Sequence, residues 1–202
     1  MPLTFIGRGP RLFPSGATFD PNNIGNQVTL SNANLTAHSP NGPWQPAYST
    51  GPAKGGKRYF EGLFVHDDGS SLGAIGFAGA AATTAFPLGQ DSGAKLSWGY
   101  SANSIIRYND TSLPPAIGAF SEGDTVMVAM DWTQSPPVLY AGKNGTWGNA
   151  ADPVAGTGGN TLTGWLGGNA GFSGVSCNGD TWTGNFGASI WLPAGWKTMS
   201  DP

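Results

Sequence analysis

No window of about 11 residues in this chain keeps apolar residues at i, i+3, i+4 and i+7 without an interrupting Gly or Pro. That feature removes the amphipathic helix from the available building blocks. A Gly in a helix interior costs about 1 kcal/mol and a Pro about 3 kcal/mol. With 33 Gly and 16 Pro among 202 residues, the penalty recurs every few positions. What remains is a series of short alternating runs. Gln27-Val28-Thr29-Leu30 and Asn34-Leu35-Thr36-Ala37 flank Ser31-Asn32-Ala33 and read as a hairpin. RYFEGLFV, Arg58–Val65, is the longest aromatic strand, and Leu72–Ala78 is a small-residue strand whose Gly73 and Gly76 admit close approach of another backbone. Lys95–Tyr100 and Ser104–Tyr108 form a further pair, and Gly174–Asn178 and Thr181–Phe186 flank a turn at Gly179-Asp180. Many short strands with frequent turns indicate a sandwich or barrel. Gly and Pro at this level approach the composition of disordered chains. Eight Trp and ten Phe argue for a folded domain with a substantial core, because they would otherwise be left in water.

The segment FSEGDTVMVAMDWTQSPPVLYAGKNGTWG, Phe120–Gly148, shows the pattern in detail. Val126, Val128, Met130 and Trp132 share one strand face, and Met127, Ala129 and Asp131 share the other. The first face is wholly apolar and the second mostly so, which suits a strand inside a two-layer structure. Pro136-Pro137 cannot donate ladder hydrogen bonds and belong in a connection. Asn144-Gly145 is a strong two-residue hairpin signal, since a type I′ turn requires positive φ at both central positions.

Several chemistries find no support. Only 10% of residues are charged and the net charge is −3, so no basic cluster is available for a row of phosphates, and nucleic acid is not an expected partner. No apolar run approaches the roughly 18 residues that span a bilayer, so no membrane insertion is expected. MPLTFIGRGPRLFPSG at the start lacks a charged n-region followed by an unbroken apolar run, and no signal peptide is expected. Cys177 is the single cysteine, which rules out an intrachain disulfide and suits a buried structural thiol. Glu61 and Glu122 are the chain's glutamates, and neither sits in the E-x-D-x-x-E strand of concanavalin-like glycosidases. His38 and His66 have no nearby His or Cys with zinc-ligand spacing. No G-x-S-x-G elbow is present, and the Gly-rich Gly156–Asn160 does not lead from a strand into a helix. Asp67-Asp68 opens a DGSS turn and reads first as a solvated turn; among the carboxylates it is also the best candidate for a calcium site. No catalytic, metal or cofactor residue is therefore assigned.

The order of the pieces resembles the SPRY (B30.2-like) domain family. GKRYFEGLFV (Gly56–Val65), LGAIGFA (Leu72–Ala78) and LGQDSGAKLSWGYSANSIIRYN (Leu88–Asn109) come first. SEGDTVMVAMDW (Ser121–Trp132), VLYAGKNGTWG (Val138–Gly148) and TGNFGAS (Thr183–Ser189) follow. FDPNNIGNQVTLSNANLTA, Phe19–Ala37, is similar to the leader strands that precede such domains in bacteriophage proteins. The resemblance implies an all-β, concanavalin-like (jelly-roll type) sandwich of two antiparallel sheets over residues 17–202, with essentially no helix. It departs from the pattern at the Ala/Thr-rich Gly79–Ala85 and the Gly/Asn-rich Pro153–Phe172, where loops are reshaped and loop-borne specificity does not carry over.

SPRY-like domains are mainly binding modules, and fold alone does not establish function. The residues near expected turns that suit a contact surface are Trp44, Tyr48, Trp98, Tyr100, Trp147 and Trp165. Trp132, Trp182 and Phe186 read as core. The implied role is a structural or attachment protein of a tailed phage, located on the virion and made in the host cytoplasm. Its partners would be other virion proteins or itself, or a host-surface glycan or protein. A cellular adaptor that grips short peptides is the alternative, and a carbohydrate-active protein the weakest reading. Residues 1–16 lie outside the resemblance. With apolar anchors Leu3, Phe5 and Phe13 and the basic Arg8 and Arg11, they suit either an arm docked on a partner or an added edge strand.

Overall fold

The computed structural model describes residues 16–40, 42, 44–51, 55–69, 73–91, 93–113, 118–187, 189 and 191–202. The docking arm, with Leu3, Phe5, Arg8, Arg11 and Phe13, lies outside the described residues. Sixteen strands and no helix are found among them. In chain order these are β1 (Phe19–Ile24), β2 (Thr29–Ser31), β3 (Thr36–His38), β4 (Gln45–Ser49), β5 (Lys57–His66), β6 (Ala74–Gly79), β7 (Ser97–Ser101) and β8 (Ile106–Tyr108). They continue as β9 (Thr111–Leu113), β10 (Thr125–Asp131), β11 (Val138–Lys143), β12 (Thr146–Trp147), β13 (Asn160–Thr161), β14 (Gly171–Cys177), β15 (Thr181–Asn185) and β16 (Lys197–Thr198).

Two sheets face each other. The first runs β1-β4-β14-β6-β7-β8-β9, and the second β12-β11-β10-β5-β15-β3-β2. In the second sheet β13 also joins β11, and β16 joins β5. Every pairing is antiparallel except β16 on β5. That short parallel contact meets β5 at Arg58 and Tyr59, just beyond the stretch paired with β15, so the chain end completes an edge that β15 leaves open.

The expected hairpins form. Ser31 pairs with Thr36 across a turn in which Asn32, Ala33 and Asn34 all take positive φ. Lys143 pairs with Thr146, and Asn144 and Gly145 have φ of 50° and 83°, as a type I′ turn requires. Gly179-Asp180 behaves differently. β14 pairs with β4 and β6 in the first sheet, whereas β15 pairs with β3 and β5 in the second, so this turn crosses between sheets and closes no hairpin.

Strand alternation builds the core. On β5, Phe60 and Phe64 point inward and are fully buried. Phe64 packs on Trp182 at 4.7 Å between ring centroids and on Phe120 at 5.3 Å, and Phe120 in turn meets Tyr100. Gly62 sits between them because a Cβ there would fall 3.0 Å from Ile75 Cδ1 and 3.2 Å from Trp182 Cε3. Gly76 faces a stricter limit, since its Cβ would lie 2.1 Å from the Trp98 carbonyl oxygen on β7. Val126, Val128, Met130 and Trp132 join this main core, while Met127 and Ala129 join Tyr59, Tyr140 and Trp196 in a second cluster on the outer face of the second sheet. Both faces of β10 are therefore buried, as its composition requires.

Candidate functional site

The acidic side chains divide by what they hold. Buried Glu61 accepts hydrogen bonds from Tyr59 Oη at 2.5 Å, Asn185 Nδ2 at 2.6 Å and Ser189 Oγ at 2.7 Å. Burial, followed by the Glu61 charge, pushes the Tyr59 hydroxyl well above its usual range. Asp91 accepts the backbone N–H groups of Lys95, Leu96 and Ser97 and shapes the turn into β7. Asp131 is buried, accepts Thr133 N–H at 2.9 Å and lies 3.8 Å from Lys57 Nζ. Glu122 is paired with His66 at 2.9 Å and accepts Asp67 N–H. All of these arrangements tie chain segments together, and none presents two carboxylates across an open cleft. Asp180 differs. Its Oδ2 accepts Asn178 N–H, but its buried Oδ1 has no hydrogen-bond partner.

The structure separates the aromatic candidates. Trp98 and Tyr100 are fully buried on β7, facing the core between the sheets, and are withdrawn from any ligand-accessible surface. The physical reason is alternation. Both project from the same strand face as inward-pointing Phe77's partner position, while Ser97, Gly99 and Ser101 take the other face. Tyr100 Oη also donates to the Gly118 carbonyl. Tyr48 is buried too, beneath the segment after β6, where it packs with Ala78 and Leu88 and its hydroxyl lies 3.4 Å from the Thr83 carbonyl. A hollow of about 170 Å³ beside it is smaller than the roughly 300 Å³ typical of ligand pockets. Half-buried Trp44 lies under the Arg107 guanidinium, 5.9 Å from its ring centroid. Half-buried Trp147 packs edge-on against Tyr59 and Tyr140.

Trp165 is the candidate that borders an open groove. The groove holds about 410 Å³ and is lined by Gln134, Ser135, Pro136 and Pro137 on one side and by Gly164, Trp165, Leu166, Gly168 and Asn169 on the other. Backbone pairing explains why these segments meet. Thr161 pairs with Val138, and Leu162 N–H donates to the Pro137 carbonyl at 2.9 Å. The second wall is held by several bonds: Leu166 N–H to Lys95 O, Tyr108 Oη to Thr163 O, and Trp165 Nε1–H to Gly168 O at 2.8 Å. The indole stacks on Tyr108 at 6.3 Å, and Gly167 packs so close that a Cβ would fall 2.2 Å from Trp165 Cζ2. Against this fixed wall Leu166 stands out, 67% exposed. The lining carries no charged side chain. The sequence reading included Trp165 but missed Leu166 and Pro136-Pro137. An isolated Leu in the Gly-rich run TGWLGGN was the available signal.

No family model matches the sequence, and no curated protein matches it. Solved structures do match. The SPRY domain of human HERC1 superposes with a TM-score of 0.60 at 13% identity, covering 82% of this chain and 96% of that one. A second human SPRY domain gives 0.60 at 13% identity over 83% and 99%. Stonustoxin gives 0.55 at 17% identity over 84% of this chain but only 27% of its own. The fold is therefore SPRY-like, a concanavalin-like sandwich of two sheets.

Proposed function

We propose that this chain is a non-catalytic binding module that grips an uncharged, extended segment of another protein in the groove between residues 134–137 and 164–169. The observation that carries this reading is Leu166. An apolar side chain 67% exposed, beside two prolines and a tryptophan held in place, gains most from a partner that covers it. The bonds that hold the second wall lower the ordering cost of binding. Trp165 has its N–H committed to Gly168 and its ring against Tyr108, so it serves better as a wall than as a free stacking platform for a sugar. SPRY domains, which share this fold, are mainly binding modules, and the engaged state of Glu61, Asp91 and Asp131 agrees with a structural role for the carboxylates.

The same proposal places the module on a tailed-phage virion, with other virion proteins or a host-surface molecule as partners. The leader-like Phe19–Ala37 supports it: these residues supply β1 at one edge of the first sheet and β2–β3 at one edge of the second. A photo-crosslinking amino acid at position 166, with a second at Val65 as control, tests the groove. Crosslinks to a protein from position 166 alone support the reading. Equal crosslinking from both positions, or crosslinks only to a polysaccharide, overturns it. Mass spectrometry of purified particles tests the location, and absence of the chain from them removes the virion role.

A further inference from the structure

We infer that Asp67, Asp68 and Asp180 form a calcium-binding site. One carboxylate oxygen from each lies within 4.8 Å of the others. Calcium holds its oxygen ligands at about 2.3–2.6 Å, so two ligands of one ion stand up to about 5 Å apart. The three side chains already fit inside that shell. They arrive from different parts of the fold: Asp67 and Asp68 from the turn after β5, and Asp180 from the crossing between β14 and β15.

The second observation is the state of Asp180. It is fully buried, yet its Oδ1 has no hydrogen-bond partner, and among the described residues it is the one buried carboxylate oxygen left so. An orphaned buried acceptor is costly and calls for an explanation. The surrounding charge sharpens the point. Asp67 and Asp68 bring two further carboxylates within 4.8 Å of the Asp180 carboxylate. His66, which ends β5 just before Asp67, is paired with Glu122 at 2.9 Å. Three carboxylates thus crowd one another at this point of the fold. A hard divalent cation supplies the missing partner for Oδ1 and relieves the repulsion together. All three ligands are oxygens, which favours calcium over thiolate- or imidazole-seeking metals.

The test is calorimetric titration of the full chain with calcium chloride after chelator treatment, alongside thermal melts in calcium and in EDTA. The expected result is one calcium bound per chain and a melting temperature several degrees higher in about 1 mM calcium. Asp180→Asn should fold without calcium, melt no lower than the wild type in EDTA, and lose at least tenfold in calcium affinity. Asp68→Asn gives the same readout from an outer ligand, should Asp180→Asn fail to fold. Magnesium at equal concentration should raise the melting temperature far less. No heat and no shift with the wild type, an unchanged affinity in both variants, or an equal response to magnesium overturns the assignment.

Discussion

Gly145→Val should be among the most damaging single changes at the surface of this domain. Two costs add. Gly145 has φ of 83°, where a β-branched residue is strained by about 1–2 kcal/mol. A Cβ there would also fall 2.6 Å from Trp191 Nε1 and 3.0 Å from its Cδ1. Trp191 is half-buried against the second core cluster, so its indole cannot retreat without uncovering Tyr59 and its neighbours. Overpacking of this kind costs about 1–3 kcal/mol. The sum, about 2–5 kcal/mol, corresponds to a melting temperature lower by about 4–20 °C in a chain of this size. Gly123→Val supplies the reference, since Gly123 has φ of 86° and open space around its Cβ position. It should lose only the strain, about 1–2 kcal/mol. Adding Trp191→Ala to Gly145→Val should remove the excess, a coupling that a double-mutant cycle reads directly. Thermal and urea melts of the five proteins (wild type, Gly145→Val, Trp191→Ala, the double variant and Gly123→Val) suffice. If Gly145→Val costs no more than Gly123→Val, the packing of Trp191 over the turn is not what the structure shows.

Two further outcomes follow from buried and paired groups. Cys177 is buried, and burial followed by the Asp180 charge raises its thiol well above the ordinary range. A thiol reagent at about pH 8 should modify it at least about a hundredfold more slowly in native than in urea-unfolded protein; prompt native reaction contradicts the burial. Burial alone would raise the Asp124 carboxyl, but the Ser121 N–H, the Asn144 amide and Lys143 together hold it below its ordinary value. A carboxyl depressed in the folded state contributes stability that is present above its unfolded value of about 3.9 and is lost as pH falls through the folded one. The stability gap between wild type and Asp124→Asn should therefore be full near about pH 6 and shrink below about pH 4. A gap that is constant across that range contradicts the pairing.

Local patterns were readable where neighbours in sequence decide the outcome. The alternation of β10 foretold its two buried faces, and Asn144-Gly145 foretold a turn whose Asn also binds Thr125 N–H and Asp124 through its side chain. Features set by distant pairings were not. Gly174–Asn178 and Thr181–Phe186 look like hairpin arms, but β14 and β15 find their partners in different sheets. Trp98 and Tyr100 lie close to turns in sequence, yet the opposing sheet covers them. Asp67-Asp68 was visible as an acidic turn, but nothing in its neighbourhood announces Asp180, which only the crossing between sheets brings alongside.

The groove is tested most directly by binding. A random-peptide display library selected on the full chain should yield uncharged, extended peptides with an apolar anchor. Their affinities are then measured by fluorescence anisotropy against wild type, Leu166→Asp and Val65→Asp. Val65 lies on β5, is 43% exposed and is outside the groove. Burying an exposed Leu side chain is worth about 1.5–3 kcal/mol. Leu166→Asp should therefore weaken binding at least tenfold, while Val65→Asp leaves it within twofold. Peptides that bind Leu166→Asp as tightly as wild type, or that lose binding only with Val65→Asp, would contradict the account.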